Sequence, residues 1–291
     1  MDILSQIVLG ALFQGSLYAI MAVALALVWT TIGVFNFSHG VLMMLGAYAA
    51  WQLTALGLPF YAVVPITVVV LAAIGWAVQA VAIQPLLRRS DVVLPAVITT
   101  LAVASMLENG ALEFWGPRSK QLPPLLEGSV QTALFTMSLH QASIIVLTPV
   151  LLGALWFFLN RTRHGLAMRA VAQNEDASLL VGMNVRALYG ASFALAAAFA
   201  GLAGVLMGGY RFMSPFMGAD PMLKAMIVVV FGGLSSITGP IIAAYAIALF
   251  EAFSMYFFGM YWTPTILFAV LIVTLMVRPE GILGTRSRGL A

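Results

Sequence analysis

Apolar residues run along this chain in long stretches, at about 4–33, 37–56, 60–83, 92–113, 141–159, 187–209, 224–257 and 262–277. A helix crossing the hydrocarbon core of a bilayer needs roughly 20 of them. Pro59, the Gln84-Pro85 pair and the Pro123-Pro124 pair fall between stretches, where helix breakers belong. From Ile3 to Leu87 there is no Asp, Glu, Lys or Arg, so that length holds about three crossings joined by short links. The fold expected is all-α and polytopic. It has about eight apolar segments, at least one of them broken or re-entrant, in a single transmembrane domain spanning 1–291.

The links at 84–91, at 160–186 and in the C-terminal tail hold nine of the thirteen basic residues: Arg88, Arg89, Arg161, Arg163, Arg169, Arg186, Arg278, Arg286 and Arg288. Basic loops face the cytoplasm, so these three are expected inside, with 114–140, 210–223 and the N-terminus outside. Three apolar segments separate Arg186 from Arg278, yet an even number of crossings must do so. The stretch 224–257 resolves the parity if it is broken. Its middle, Gly232-Gly233-Leu234-Ser235-Ser236-Ile237-Thr238-Gly239-Pro240, cannot continue a regular helix. Non-helical backbone at membrane depth survives only when buried in protein or lining a cavity, so 232–240 is a candidate lining of a substrate path. Asn36-Phe37-Ser38-His39-Gly40 interrupts the chain in a similar way. Val34–Trp51 and Val230–Glu251 share a faint pattern: an internal repeat, as in many transporters, or chance between helices rich in Ala, Gly and Val.

Composition then narrows the class. Apolar residues make up 62% of the 291 and charged residues only 8%, against about 25% charged in an ordinary soluble domain; lipid must be the solvent for most of the chain. The basic residues are too few and too scattered for a nucleic-acid surface, and basic cytoplasmic loops account for the net charge of +3. There is no cysteine, so disulfides and thiolate metal sites are excluded, and His39, His140 and His164 lie too far apart for a ligand spacing. The first apolar run is too long for a cleaved leader and has no basic flank, so Met1 onward reads as mature protein. No phosphate-binding loop, nucleophile elbow or zinc-protease motif occurs. The expected protein is not an enzyme and binds no cofactor or metal; if ATP drives it, another chain binds the ATP.

The basic link at about 160–187 has the sharpest local grammar. Asn174 is a helix cap, accepting from the free amides of a first turn. Glu175 and Asp176 follow at the positive end of the helix dipole. Leu179, Leu180 and Val181 are apolar, and Gly182 suits the left-handed turn that ends a helix. A short helix of about two turns is predicted, either docking on something or resting on lipid headgroups.

These residues carry a resemblance. Glu175-Asp176-Ala177 with Gly182 resembles the loop by which permeases of ABC importers dock on their ATPases. The stretch Ala177-Ser178-Leu179-Leu180-Val181-Gly182-Met183-Asn184 resembles that loop in the LivH family, the permeases of branched-chain amino-acid importers. Three further motifs agree in order: Val34-Phe35-Asn36-Phe37-Ser38-His39-Gly40 with Met44-Leu45-Gly46-Ala47-Tyr48, the glycine stretch 232–240, and Arg278-Pro279-Glu280-Gly281-Ile282-Leu283-Gly284. The resemblance spans nearly the whole chain. It implies a bacterial inner-membrane permease that pairs with a second, related permease, binds two cytoplasmic ATPases, and receives leucine, isoleucine or valine from an extracytoplasmic binding protein. It also implies that Asn174, Glu175, Asp176, Ala177, Leu179, Leu180 and Gly182 couple to the ATPase. Related importers carry urea, short amides or aromatic acids.

The substrate-path candidates are Asn36, Ser38, His39, Gly40, Gly232, Gly233, Ser235, Ser236 and Glu251. Each has a plainer reading. Asn36 and Ser38 can satisfy amides freed by the break, His39 can bond a backbone carbonyl, and Glu251 can hold a neighbouring helix. Glu108 and Asn109 lie within the segment 92–113, where Glu108 is either functional or near the outer interface. Gly10, Gly15 and Gly201-Leu202-Ala203-Gly204 suit close helix packing. A secondary transporter driven by an ion gradient is the rival class; it would have to build its relay from Glu108, Glu251 and His39.

Overall fold

A computed structural model describes residues 3–88, 91–131, 136–234 and 236–284. Eleven helices are present among them: α1 Ile3–Ile32, α2 His39–Ala55, α3 Phe60–Val78, α4 Val93–Trp115, α5 Leu139–Arg161, α6 Arg163–Gln173, α7 Glu175–Leu180, α8 Val185–Gly208, α9 Ala219–Gly232, α10 Gly239–Phe258 and α11 Thr263–Val277. A wider π-turn, Gln79–Ile83, extends α3 before the Gln84-Pro85 break. A small antiparallel hairpin, β1 (Ser129–Gln131) and β2 (Thr136–Ser138), lies in the polar link before α5. Six helices are long and apolar enough to cross a membrane: α1, α3 with its π-turn, α4, α5, α8 and α10. The expectation of an all-α polytopic fold holds.

Helix α1 is apolar on every side and buried over most of its length, as a central helix must be. It packs against α5, α8, α9 and α10. Lipid tails give apolar helices no reason to associate, so close packing depends on small residues that let backbones approach. The α2–α8 contact is built this way: side chains added at Gly46 or Gly204 would land on the Gly201 backbone or the Met43 carbonyl. Gly201 in turn seats Leu71 of α3, and Gly75 of α3 lies against Ala197. The packing read for Gly201 and Gly204 is realised; Gly10 meets nothing within 4 Å.

The stretch 224–257 is two helices. α9 and α10 are separated at Gly232–Gly239, where the two backbones touch. Helix α9 has 14 residues and α2 has 17, about 21 and 25 Å at 1.5 Å per residue, shorter than a full crossing. Both begin at the same depth: Gly40 of α2 touches Gly218 just before α9, and His39 bonds to Met21 in the middle of α1. The early break therefore lies at mid-bundle. The late break lies elsewhere. Gly233 packs on Gly284, Ile282 N donates to the Phe231 carbonyl and Leu283 N to that of Gly232. Ser236 and Thr238 share a cavity with Thr30 and Thr31 at the far end of α1. The two similar sequence patterns thus precede α2 and α10, which start at different depths.

Candidate functional site

Three places bear on function. The first is helix α7. Asn174 Oδ1 accepts from Ala177 N at 2.9 Å, the expected cap. The far end closes with Gly182 N donating to the Leu179 carbonyl and Met183 N to that of Ser178, the paired bonds of a Schellman motif. Gly182 has φ +81° with open space around its Cα, so glycine is required there by the backbone and not by crowding. The helix covers 175–180, slightly shorter than the sequence implied. Ser178 points inward and is buried, while Glu175, Asp176, Ala177, Leu179 and Leu180 are exposed. The Tyr189 hydroxyl of α8 faces the Glu175 carboxylate and ties the two helices together. The result is a pinned turn whose Leu180 is 89% exposed.

The second is the early break. Asn36 Oδ1 accepts from both Ser38 N, at 3.1 Å, and Ser38 Oγ, at 2.6 Å. His39 Nε2 lies 3.2 Å from the Met21 carbonyl oxygen. All three side chains are buried; Asn36 and His39 make the local bonds foreseen for them, whereas the Ser38 hydroxyl donates to the Asn36 side chain and caps no amide. Gly40 and Gly218 approach so closely that neither could carry a side chain. Of the late-break candidates, Gly232 and Gly233 are buried in the turn against the C-terminal segment, and Ser236 Oγ accepts from Gly239 N at 3.0 Å as a cap for α10. Ser235 lies outside the described residues. The structure thus brings Asn36, Ser38, His39 and Gly40 together and sets the 232–240 turn apart from them.

The third place surrounds Glu251. Its carboxylate accepts from the Tyr18 hydroxyl at 2.6 Å and from Lys224 Nζ at 2.8 Å. Lys224 also reaches Asp220 at 3.3 Å. Glu251 is 6% exposed. An ion pair in hydrocarbon is tolerated when both charges are paired and hydrogen-bonded, and this one joins α1, α9 and α10. Lys224, Tyr18 and Asp220 were not foreseen from sequence. The only hint was that Lys224, one of two lysines in the chain, falls in an apolar stretch. Glu108 is half-buried on α4 and Asn109 is exposed, its Nδ2 donating to the Ser105 carbonyl at 2.7 Å.

A bundle with two partial helices meeting at mid-depth, a buried ion pair and a capped helix projecting from its basic end defines a polytopic transport protein. The chain belongs to the family described as the permease component of branched-chain amino acid transport systems, which it matches over residues 7–277. It is 32% identical to the high-affinity branched-chain amino acid permease protein BraD of Pseudomonas aeruginosa, over 97% of this chain and 95% of BraD. It is also 32% identical to LivH of Escherichia coli K12, a permease of the same description, over 93% of this chain and 92% of LivH. A guanosine ABC transporter permease, NupP of Bacillus subtilis, is 26% identical over 66% of this chain and 56% of its own. No solved structure matches the chain. The protein is a multi-pass inner-membrane permease, and its relatives transport solutes and are not enzymes.

Proposed function

We propose that this chain is a permease subunit of an ATP-driven importer for leucine, isoleucine and valine. It pairs with a second, related permease to enclose the path. Two cytoplasmic ATPases drive the pair, and an extracytoplasmic binding protein delivers substrate. The basic end, carrying Arg161, Arg163, Arg169, Arg186 and Arg278, faces the cytoplasm. The observation that carries the reading is α7. Six residues do not hold a helix in water unaided. Capping at both ends and Tyr189 nonetheless fix it, with Leu179, Leu180 and Val181 projecting outward. That suits a rigid tooth seated in another protein. ATP-driven closure of the ATPase pair would displace α7, and α6 and α8 would carry that displacement to the bundle. The rival ion-driven mechanism is disfavoured because, of the Glu108, Glu251 and His39 it would need, Glu251 is already paired with Lys224 and His39 is bonded to the Met21 carbonyl.

The test is a Leu179→Asp/Leu180→Asp double variant, assayed for membrane insertion, retained ATPase and leucine uptake in one preparation. Insertion should be normal, with ATPase retention and uptake falling at least tenfold. Full retention and uptake would remove the coupling role and bring an ion-driven mechanism forward.

A further inference from the structure

Beside the Lys224–Glu251 pair lies a small closed cavity that neither the packing nor the coupling helix explains. Gln14, Tyr18 and Met21 of α1 form one wall, Met43 of α2 and Met207 of α8 another, and Arg211 and Asp220 stand at its edge. Two features set it apart. Its rim carries one cation and one anion, and Asp220 remains 62% exposed although level with the middle of α1. Asp220 lies 3.3 Å from Lys224 Nζ yet stays exposed on its other side; lipid does not hold so exposed a carboxylate at that depth, so this side of the bundle faces a polar path. Its floor is made of three methionines, flexible side chains that repack around varied apolar shapes. Gln14 Oε1 also lines it, buried and without a protein partner among the described residues. The amino-terminal ends of α2 and α9 meet close by, at Gly40 and Gly218. Broken helices in transporters aim such ends at anionic groups.

We infer that this cavity is the collapsed form of a transit site for a zwitterionic apolar amino acid. Arg211 takes the carboxylate, Asp220 the ammonium, and Met21, Met43 and Met207 take the side chain. The inference rests on the importer reading above and adds to it a place where the permease itself senses the solute. In this conformation the free volume is only about 10 Å³, so the methionines must move apart for substrate to enter.

The natural chain lacks cysteine, which permits a clean test. Met207→Cys and Met43→Cys are each built into the assembled importer and exposed to a small membrane-permeant maleimide during ATP turnover. Saturating leucine should slow labelling severalfold. Isovalerate and isoamylamine, which carry the same side chain with only one of the two charges, should not. Asp220→Asn in the same background should abolish the leucine protection while ATPase subunits stay bound. Three outcomes would overturn the site: labelling indifferent to leucine in a variant that still imports it, equal protection by isovalerate, or no labelling in any nucleotide state. Loss of ATPase binding across all variants would instead count against the importer reading, so the two failures are told apart.

Discussion

At the scale of single residues, the ion pair gives the sharpest expectation. Glu251 is buried and Lys224 half-buried, and the two charges are paired at 2.8 Å. Removing one partner of a buried pair costs about 3–5 kcal/mol, whereas replacing both with apolar residues is often neutral. Lys224→Met should therefore lower the melting temperature in detergent markedly. Lys224→Met/Glu251→Met should recover most of the loss; a double variant as unstable as the single one would show that the pair is not the source. Such a pairing was half legible in sequence. Glu251 stands out as an acid in an apolar stretch, but its partner lies 27 positions away on another helix. Only the folded arrangement brings them within 2.8 Å. Gly182 is the opposite case. Its left-handed backbone follows from neighbours within one turn, so the sequence reveals it. Gly182→Val should cost about 1–2 kcal/mol through the backbone alone, because nothing lies within 4 Å to clash. The variant should insert normally and bind ATPase less well in pull-down.

At the scale of elements, the order and approximate bounds of the apolar helices follow from the apolar stretches; α6, which lies in the basic link and has no apolar run, was not foreseen. Depth does not follow from them either. The stretch 232–240 and the stretch 36–40 look alike as strings of small and polar residues. One is a tight turn bound to the C-terminal segment; the other is a mid-bundle junction. What separates them is which helix each one touches, and a single sequence carries no record of that. The α2–α8 contact should be the element most sensitive to volume. Gly204→Leu would drive a side chain into the Met43 backbone and push α2 off its seat on α8. The expected result is poor assembly and a large fall in thermal stability. Gly10→Leu, at an open position on α1, should leave both unchanged.

For the whole molecule, the two ends are built differently. At one end the 114–140 segment is fastened to the bundle. Lys120 and Met213 exchange backbone hydrogen bonds, Leu122 N donates to the Gly208 carbonyl, and Leu125 N donates to His140 Nδ1. Lys120 Nζ sits 3.7 Å above the Trp51 ring. At the basic end, a cavity of about 560 Å³ opens between the ends of α1 and α5, helix α6 and the 236–238 turn. On the coupling role proposed above, the hollow end, where α7 projects, is the end that would yield to a push. Sidedness is directly measurable in this cysteine-free chain. Ser119→Cys should react with an impermeant thiol reagent in intact cells, and Ala177→Cys only after the cells are opened; the reverse pattern would invert the orientation.

The exposed tip of α7 has a consequence for the life of the protein in the cell. In the isolated chain Leu179, Leu180 and Val181 are uncovered on a turn too well fastened to fold them away. Exposed apolar clusters of this kind invite aggregation and engagement by quality-control proteases. On the coupling role proposed above, a copy made without its ATPase would be left marked as an orphan. Its half-life in a pulse-chase experiment should shorten when the ATPase is depleted and lengthen again in the Leu179→Asp/Leu180→Asp variant. The same few side chains that would take up force would then also keep subunit numbers in balance.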